Sequence, residues 1–317
     1  MKQLLIKELT PDSKFEGFLL VKNAEVRQTK AGLNYLDMNL GDKTGEINAK
    51  NWDINAKAPE NGSIIKVRAD VIDYRGKCQL KIEKMRDLAD SDSIDMDYFV
   101  KVAPKQAEDY IAEIEHTISK IDNKDLRNLT NALFLEVKDQ LMYFPAAKEM
   151  HHAERAGLLH HITDMLHVAT ALSNVYTWIN WDLVNAGIII HDLQKTSEML
   201  SDSFGVVKEY SKDGLLIGHL VRGVVNVELA AKKLNIQGEI VELIQHMIIS
   251  HHGIPEYGSP RKPMFAEAEM LHWIDTMDAK MYQMQAELNK VQEGVFTDWV
   301  KALERRLYKP EFTDEME

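Results

Sequence analysis

The sequence has one cysteine, Cys78, among its 317 residues. A single cysteine cannot form a disulfide within the chain, and disulfide frameworks belong to oxidising compartments. No apolar run approaches the ~18–20 residues that a membrane-spanning helix needs, and the apolar stretch after Met1 is too short for a signal peptide. We therefore expect a cytoplasmic protein with no membrane partner.

Positively charged residues are fewer than negatively charged ones, but the imbalance differs between the two parts of the chain. The net charge is −12, yet residues 1–90 carry 16 Lys and Arg against 14 Asp and Glu, whereas residues 91–317 carry 22 against 36. Local positive charge weakly favours contact with phosphates. The N-terminal part is therefore the candidate nucleic-acid-binding region, and part of the C-terminal acidity is available for metal ligands.

Residues 1–90 show the two-residue periodicity of β-strands. Leu36, Met38 and Leu40 share one face of a predicted strand, and the same alternation recurs in residues 65–71 and 78–82. Turns are predicted at residues 42–45 and 75–76, and a short helix is predicted near residues 54–58. Five short strands with this patterning predict a small closed β-barrel.

The rest of the chain has a helical pattern. Residues 91–103 interrupt the strand pattern, and Pro104 precedes a new periodic segment. Residues 91–150 are predicted as a linker and helical lead-in, and residues 151–317 as a helical domain, so the fold class is α+β with two domains. The longer helices are predicted at residues 124–144, 157–178, 183–193, 215–233, 238–250 and 266–308.

Histidine is concentrated in the C-terminal part, where eleven of twelve lie between His151 and His272. Burying an aspartate without a partner is costly, and first-row divalent ions accept imidazole nitrogen and carboxylate oxygen. One histidine on an apolar helix is usually structural, but seven candidate ligands in five ordered stretches predict a metal-dependent hydrolase. These candidates are His161, His191, Asp192, His219, His251, His252 and Asp275. Lys195 lies four residues after His191 and suits an anionic substrate.

The order H…HD…H…HH…D resembles the HD-domain phosphohydrolases, which place a metal site inside a helix bundle. The segment GLLHH at residues 157–161 resembles the family's GLLEH, which selects His161 over His160. The segment HDLQK at residues 191–195 resembles HDIGK. The chain departs from the family pattern at Gln194, usually glycine, and at His160, usually glutamate.

Further segments resemble one subgroup of that family. Residues 37–52 resemble the L-x-D-K-T-G-x-I-x-A-x-x-W signature of nucleic-acid-binding OB-folds. Residues 145–147, 151–155 and 256–260 resemble the YhaM-type 3′–5′ exoribonucleases, in which an OB-fold is fused to an HD domain. The resemblance implies a five-stranded OB-fold barrel over residues 1–90 and an all-α HD-domain bundle over residues 151–317.

The same resemblance implies a site for two divalent metal ions. The first ion would be held by His161, His191, Asp192 and Asp275, and the second by His219, His251 and His252, with Asp192 between them. Asp192 and Lys195 are the predicted catalytic residues, and Asp278 is a predicted outer partner. We expect Mn²⁺, while Fe²⁺, Co²⁺ and Zn²⁺ remain open because all accept these ligands.

Two sets of residues are predicted to contact substrate. His152, Arg155 and Arg222 are candidate phosphate contacts near the metal ligands. Binding of a single strand needs cations for the backbone and aromatic faces for stacking, which in the barrel would come from Arg27, Tyr35, Lys50, Trp52 and Arg68. For Trp52, an anchoring role in the barrel core is an equal alternative.

The preferred function is a metal-dependent 3′–5′ exoribonuclease acting on single-stranded RNA, with single-stranded DNA as an open second partner. One alternative is a phosphohydrolase of nucleotides or cyclic dinucleotides. Another is a non-catalytic DNA- or RNA-binding protein. The methionine-rich C-terminal helix also leaves open a homo-oligomer.

Overall fold

The computed structural model describes residues 3–53, 57–89, 91–92, 94, 98–147, 152–202 and 205–311. Two compact units, Met1–Lys101 and Val102–Glu317, make up the chain. The division lies eleven residues after the predicted boundary at residue 90, and the helices of the predicted lead-in belong to the second unit. Most of the predicted helix at residues 54–58, and His151 of the quoted motif, lie outside the described residues.

The first unit is a closed five-stranded barrel with the strand order β1-β2-β3-β5-β4. All neighbouring strands are antiparallel except β3 and β5, which pair in parallel and close the barrel. Five strands closed in this way form an OB-fold, as predicted. The strands are β1 (Lys14–Gln28), β2 (Asn34–Asp42), β3 (Gly45–Asn51), β4 (Ile64–Tyr74) and β5 (Lys77–Asp87).

The barrel interior follows the alternation read from the sequence. Leu36, Met38 and Leu40 are buried on β2, and Leu80 and Ile82 are buried on β5. The β2–β3 turn is fixed by Asp42, whose Oδ1 accepts hydrogen bonds from the backbone N–H of Thr44 at 2.7 Å and its hydroxyl at 2.6 Å. Such local bonds explain why Asp and Asn favour turns.

The β4–β5 hairpin has a two-residue turn at Arg75 and Gly76. Their φ angles are 57° and 79°, which is the pair of positive values that a type I′ turn requires. The hairpin pairs β4 with β5 along almost their whole length, and a bulge between Arg68 and Ala69 shifts the register. That register decides which charged side chains face each other on the outer surface.

The second unit is helical and is built around α4. Apart from the polar and N-terminal positions of its first turns, α4 is buried, and it contacts α1, α2, α3, α8 and α9. The helices are α1 (Ala107–Lys120), α2 (Lys124–Leu141), α3 (Gly157–Ser173), α4 (Trp181–Ile190), α5 (Lys195–Glu198), α6 (Lys212–Leu216), α7 (Gly218–Leu234), α8 (Glu239–Ser250) and α9 (Ala266–Leu288).

Two features of this unit differ from the sequence prediction. A short hairpin of β6 (Met199–Ser201) and β7 (Val207–Tyr210) lies within the helical unit; strands this short leave no periodic signal. The helix predicted to reach residue 308 ends at Leu288. Gly294 then adopts a left-handed φ of 74°, and isolated bridges join Phe296 to Tyr308. Among the described residues, no helix combines the length and apolarity needed to cross a membrane.

Candidate metal centre

The predicted ligand stretches converge in the second unit, and four of the five lie at or near the ends of helices. His161 is in the first turns of α3, His219 is the second residue of α7, and Asp275 lies within α9. His191 and Asp192 directly follow α4, and His251 and His252 directly follow α8. A helix end lets two consecutive side chains face one centre, which the 100° step inside a helix would prevent.

Close packing at glycine brings these helices together. A Cβ on Gly157, the first residue of α3, would lie 2.0 Å from the carbonyl oxygen of His152. A Cβ on Gly187 of α4 would lie 2.3 Å from the Met247 side chain on α8. Gly187 therefore lets the segments carrying His191 and His251 approach each other, and Gly157 lets the start of α3, which carries His161, approach the backbone of His152.

Asp192 lies at the middle of the cluster. Its Oδ2 is 3.3 Å from His191 Nε2, and its Oδ1 is 3.4 Å from His219 Nε2 and 3.6 Å from His251 Nε2. At one side, His161 Nε2 is 3.3 Å from Asp275 Oδ1. His219, His251 and His252 also offer nitrogens within 4.8 Å of one another. The two oxygens of Asp192 thus face two groups of imidazoles.

The other ring nitrogen of each ligand histidine is held from behind. Nδ1–H donates to a backbone carbonyl in three cases: His191 to Ile188 at 2.8 Å, His251 to Ile248 at 2.8 Å, and His252 to Tyr257 at 2.7 Å. In the two remaining cases it donates to a carboxylate: His161 to Asp278 at 2.6 Å and His219 to Glu198 at 2.8 Å. Such bonds fix the tautomer and orient Nε2 as a metal ligand.

Several of these Nε2 atoms have no hydrogen-bond donor and are suited to bind a metal ion. The Nε2 atoms of His191, His219 and His251, and Oδ1 of Asp192, are buried and accept no hydrogen bond from any residue that the structure describes. A buried acceptor without a donor is costly. Imidazole nitrogen with carboxylate oxygen is a donor set for first-row divalent ions, so the residues present fit the ions that the sequence predicted.

Charge at the centre is set by competing effects. Burial would raise the pKa of Asp192, but the Lys195 ammonium and His191 hold it well below its usual range. Burial, together with repulsion from His252 and His191, lowers the pKa of His251, so its imidazole is neutral and available. Lys195 is predicted to contact the substrate phosphate; its Nζ lies 2.6 Å from Asp192 Oδ2, and that attraction outweighs burial and raises its pKa.

A second layer of polar residues supports His161. Asp278 Oδ2 accepts hydrogen bonds from His161 Nδ1 and, at 2.9 Å, from His152 Nε2. His152 in turn contacts His160 Nδ1 at 3.1 Å. Burial lowers the pKa of His160, but hydrogen bonds to Asp164 and Glu154 outweigh it and raise the pKa to about 9. His160, at the family's glutamate position, is therefore a charged donor in this layer.

Sequence reasoning missed three supports of the ligands. Glu198 holds His219, Glu154 accepts the Tyr282 hydroxyl at 2.7 Å, and His272 Nδ1 donates to the His251 carbonyl at 2.7 Å. Glu154 lies in the segment 151–155 that resembles the YhaM-type enzymes, whereas Glu198 and His272 lie outside every motif found in the sequence. The motif at residues 256–260 does carry a signal, because Tyr257 and Ser259 both accept hydrogen bonds from His252.

The predicted phosphate contacts near the centre have different surroundings. His152 is fully buried behind His161, a position that supports Asp278 rather than reaching substrate. Arg155 lies beside the segment of Ala103, and its backbone carbonyl accepts a hydrogen bond from the Ala103 N–H at 3.0 Å. Arg222 is held by Asp213, with Nε 2.8 Å from Oδ2. Gln194 is buried at the start of α5 and accepts a hydrogen bond from Ser197.

Four of the five predicted nucleic-acid contacts meet on one face of the barrel. Trp52 stacks on Tyr35 with ring centroids 4.8 Å apart, and Lys50 Nζ is 4.9 Å from the Tyr35 ring centre. Arg27 lies opposite Tyr35 on the neighbouring strand. Trp52 is 48% exposed, so it is not a core anchor. We call these four residues the aromatic face; Arg68 lies apart from it, paired with Glu16.

Fold and site together define a class: an OB-fold barrel joined to a helical unit with an HD-type histidine–aspartate centre. No family model matches the sequence. The chain is 40% identical over 302 residues to the 3′-5′ exoribonuclease YhaM of Geobacillus sp. (strain WCH70), covering 93% of this chain and 92% of the relative. Identity to the 3′-5′ exoribonuclease YhaM of Shouchella clausii (strain KSM-K16) is 38% over 301 residues, covering 94% and 93%. The chain belongs to the YhaM family.

The barrel also has a weak likeness to a solved structure. The second OB-fold domain of replication protein A from Methanococcus maripaludis is 19% identical with a TM-score of 0.23, and the match covers 29% of this chain and 98% of that chain. A likeness this weak adds nothing to the fold assignment, which follows from the strand order and pairing.

Proposed function

We propose that this protein is a metal-dependent 3′–5′ exoribonuclease that hydrolyses single-stranded RNA, and that it also accepts single-stranded DNA. The observation that carries the proposal is the convergence of five oriented imidazoles and two carboxylates on one buried centre, in a chain whose relatives are named as 3′-5′ exoribonucleases. A cytoplasmic setting, inferred from the lone Cys78, is consistent with an RNA substrate.

We further propose that the centre holds two divalent ions, with Mn²⁺ preferred. Two bound metal ions supply an activated water and stabilise the leaving oxygen in an in-line displacement at phosphorus. His161, His191 and Asp275 surround one side of Asp192, and His219, His251 and His252 surround the other. The Asp192 carboxylate, with Oδ2 near His191 and Oδ1 near His219 and His251, supports a shared position between the groups.

The chain's own residues set how a phosphodiester would meet this centre. His219 and Asp275 are 11% and 13% exposed at their side chains, whereas those of His161 and His191 are fully buried. Substrate must therefore approach from the side of His219, His252 and Asp275. Lys195 stays protonated beside the ionised Asp192 and is positioned to neutralise negative charge that develops on the phosphate.

The aromatic face of the barrel supports the choice of a single-stranded substrate. Stacking on aromatic rings is available to every base, and a cation beside the ring attracts the backbone. Tyr35, Trp52 and Lys50 provide both within one cluster on strands β2 and β3, the ligand face of OB-folds. This arrangement favours binding without strong sequence preference.

The proposal is tested with one RNA labelled at either end. With Mn²⁺, a 3′ label should leave at once as mononucleotide, while a 5′ label should shorten in single-nucleotide steps; a chelator should stop both and added Mn²⁺ should restore them. Release of the 5′ label first would contradict the polarity. Hydrolysis of free nucleotides or cyclic dinucleotides with intact RNA would favour the phosphohydrolase alternative, and binding without hydrolysis in the metal-loaded protein would favour the non-catalytic one.

A further inference from the structure

A second charged surface of the barrel is not explained by the fold or by the aromatic face. On the outer side of β4 and β5, Lys66 lies opposite Arg86, and Arg68 lies opposite Lys84. Like charges directly opposite each other on antiparallel strands are destabilising. Two adjacent pairs of this kind cost stability. A ligand that binds these four residues would explain why the like charges are kept together. We call these four residues the basic ladder.

Nearby acids neutralise only half of the basic ladder. Arg68 pairs with Glu16 at 2.7 Å, and Arg86 pairs with Asp92 at 2.6 Å. Two other acids on this side, Asp70 and Glu83, are 3.7 and 3.6 Å from Lys14. Lys66 and Lys84 form no ion pair with any residue in the described parts of the chain, so the ladder keeps an excess of two positive charges.

The shape of this surface suits an extended anionic strand. The ladder lines a shallow groove of about 340 Å³, whose floor includes Val67 and Met85. Successive cations on one strand are two residues apart, or roughly 6.6 Å at the rise of a β-strand, which is comparable to the spacing of phosphates in an extended single strand. Lys66 Nζ also lies over the Phe18 ring, 5.4 Å from its centre, so one aromatic ring adjoins the cations.

The basic ladder is separate from the aromatic face. On β5 the residue opposite Lys50 is Lys81, three residues before Lys84. On β1 Arg27 lies eleven residues beyond Glu16, the partner of Arg68. Lysine and arginine contacts to phosphates position a strand without reading its sequence. The groove offers charge with no deep apolar pocket, which fits a phosphodiester backbone better than an acidic protein.

We propose that the basic ladder is a second RNA-binding surface, which holds backbone phosphates of nucleotides beyond those stacked on the aromatic face. The choice of RNA as the ligand rests on the proposed function. The ladder would lengthen the stretch of RNA that the barrel holds, and long substrates would gain affinity that short ones lack.

The test compares RNA binding by Lys66→Glu/Lys84→Glu with the unchanged protein in a chelator, so that no hydrolysis occurs. An oligouridine of about 4 nucleotides lies at the lower end of the range of site sizes for one OB-fold, and one of about 20 nucleotides lies above that range. Affinity for the longer one should fall about tenfold or more at low salt, and far less for the shorter one. The slope of log affinity against log salt should weaken by about 1.4, because each phosphate contact to a single strand contributes about 0.7.

Two further variants keep the test decisive. Lys232→Glu/Lys233→Glu makes the same charge change on exposed positions of α7 and should leave the slope unchanged. If the Glu variant melts early, Lys66→Gln/Lys84→Gln removes the charges without adding repulsion and should weaken the slope equally. A folded variant with the original affinity and slope for the longer RNA overturns the proposal.

Failure of the ladder and failure of the proposed function are distinguishable. Release of mononucleotides by the unchanged protein with Mn²⁺ tests the function and does not depend on the ladder. If the unchanged protein degrades RNA but both ladder variants bind long RNA normally, only the ladder is refuted. If it binds long RNA in a ladder-dependent way but releases no nucleotide, only the nuclease function is refuted.

Discussion

The barrel and the helical unit arrange their polar groups in opposite ways. In the helical unit, His191 and His251 are buried, and a hydrogen bond from Nδ1 to a backbone carbonyl holds each ring. In the barrel, Trp52 and the basic ladder stand on the outside of strands, over an apolar interior that is complete without them. The histidine cluster is therefore part of the core of the helical unit. The aromatic face and the basic ladder lie outside a barrel core that packs without them.

This contrast predicts how each region responds to substitution. A change at the metal centre removes one ligand and disturbs its neighbours, so effects on metal content, stability and hydrolysis should move together. A change on the barrel surface should alter RNA affinity alone. Four experiments test that separation, beginning with the largest expected effect.

Asp192→Asn is expected to have the largest effect. Its carboxylate lies beside His191, His219, His251 and Lys195, so removing its charge should lower the rate of hydrolysis by more than about 100-fold, the size of loss seen when one transition-state contact is removed. Metal content should fall while affinity for single-stranded RNA is retained. Normal metal content with normal hydrolysis would show that Asp192 is not at the centre of the site.

Asp278→Asn should weaken the metal centre from its outer layer. The change removes the charge that orients His161 and His152, and loss of such a partner typically costs 10–100-fold in metal affinity. Titration with Mn²⁺, followed by a competing chelator, measures it. Asp164→Asn is the matched control, since Asp164 is 41% exposed and contacts only His160 in this layer; an equal loss there would contradict the special position of Asp278.

Trp52→Ala should act on the barrel without touching the metal centre. Loss of one stacking aromatic costs about 1–3 kcal/mol per base, or roughly 5- to 150-fold in affinity for single-stranded RNA. Thermal stability and metal content should stay unchanged because the side chain is half exposed. Trp178→Ala, an even more exposed tryptophan of the helical unit, is the control. A loss of barrel stability instead of affinity would restore the core-anchor reading of Trp52.

The smallest of the four expected effects is the release of one proton when Mn²⁺ binds. Burial opposes charge on His161, but hydrogen bonds to Asp275 and Asp278 outweigh it and raise its pKa to about 10. Below that pH the metal-free imidazole is protonated, and metal must displace the proton. Apparent affinity should therefore rise with pH, by up to about tenfold per unit below pH 10 for one released proton. Calorimetry in buffers of different ionisation enthalpy counts the protons, and a count of zero refutes the exchange.

The sequence predicted what depends on local pattern. The strands follow from alternation, as at Leu36, Met38 and Leu40. Most of the predicted ligand stretches were identifiable because they stand in short motifs at or near helix ends, whereas Asp275 lies within α9. The supports were not identifiable, because Glu198 and Tyr282 act through contacts with residues 21 and 128 positions away. The end of α9 at Leu288 was also missed, since the turn at Gly294 interrupts a segment whose composition still suits a helix.

The exposure of Trp52 shows a different limit of sequence reasoning. A tryptophan at the end of a strand has the same pattern whether it enters the core or faces outward, and only its exposure in the folded barrel separates the two. Likewise, the opposition of Lys66 to Arg86 depends on strand register, which the bulge beside Ala69 shifts by one residue. Register is a property of paired strands and is not written in either strand alone.

The hydrogen bonds behind the rings divide the predicted metal ligands into two groups, according to whether mutation can change the hydrogen-bond partner. His191 and His251 donate to carbonyls three residues earlier in their own chain, at Ile188 and Ile248. Every amino acid supplies that oxygen, so no mutation of the partner can retune these two rings. His161 and His219 rely on the carboxylates of Asp278 and Glu198. Divergent descendants that come to prefer another metal should therefore carry their changes at these two acids, while the carbonyl-held pair stays constant.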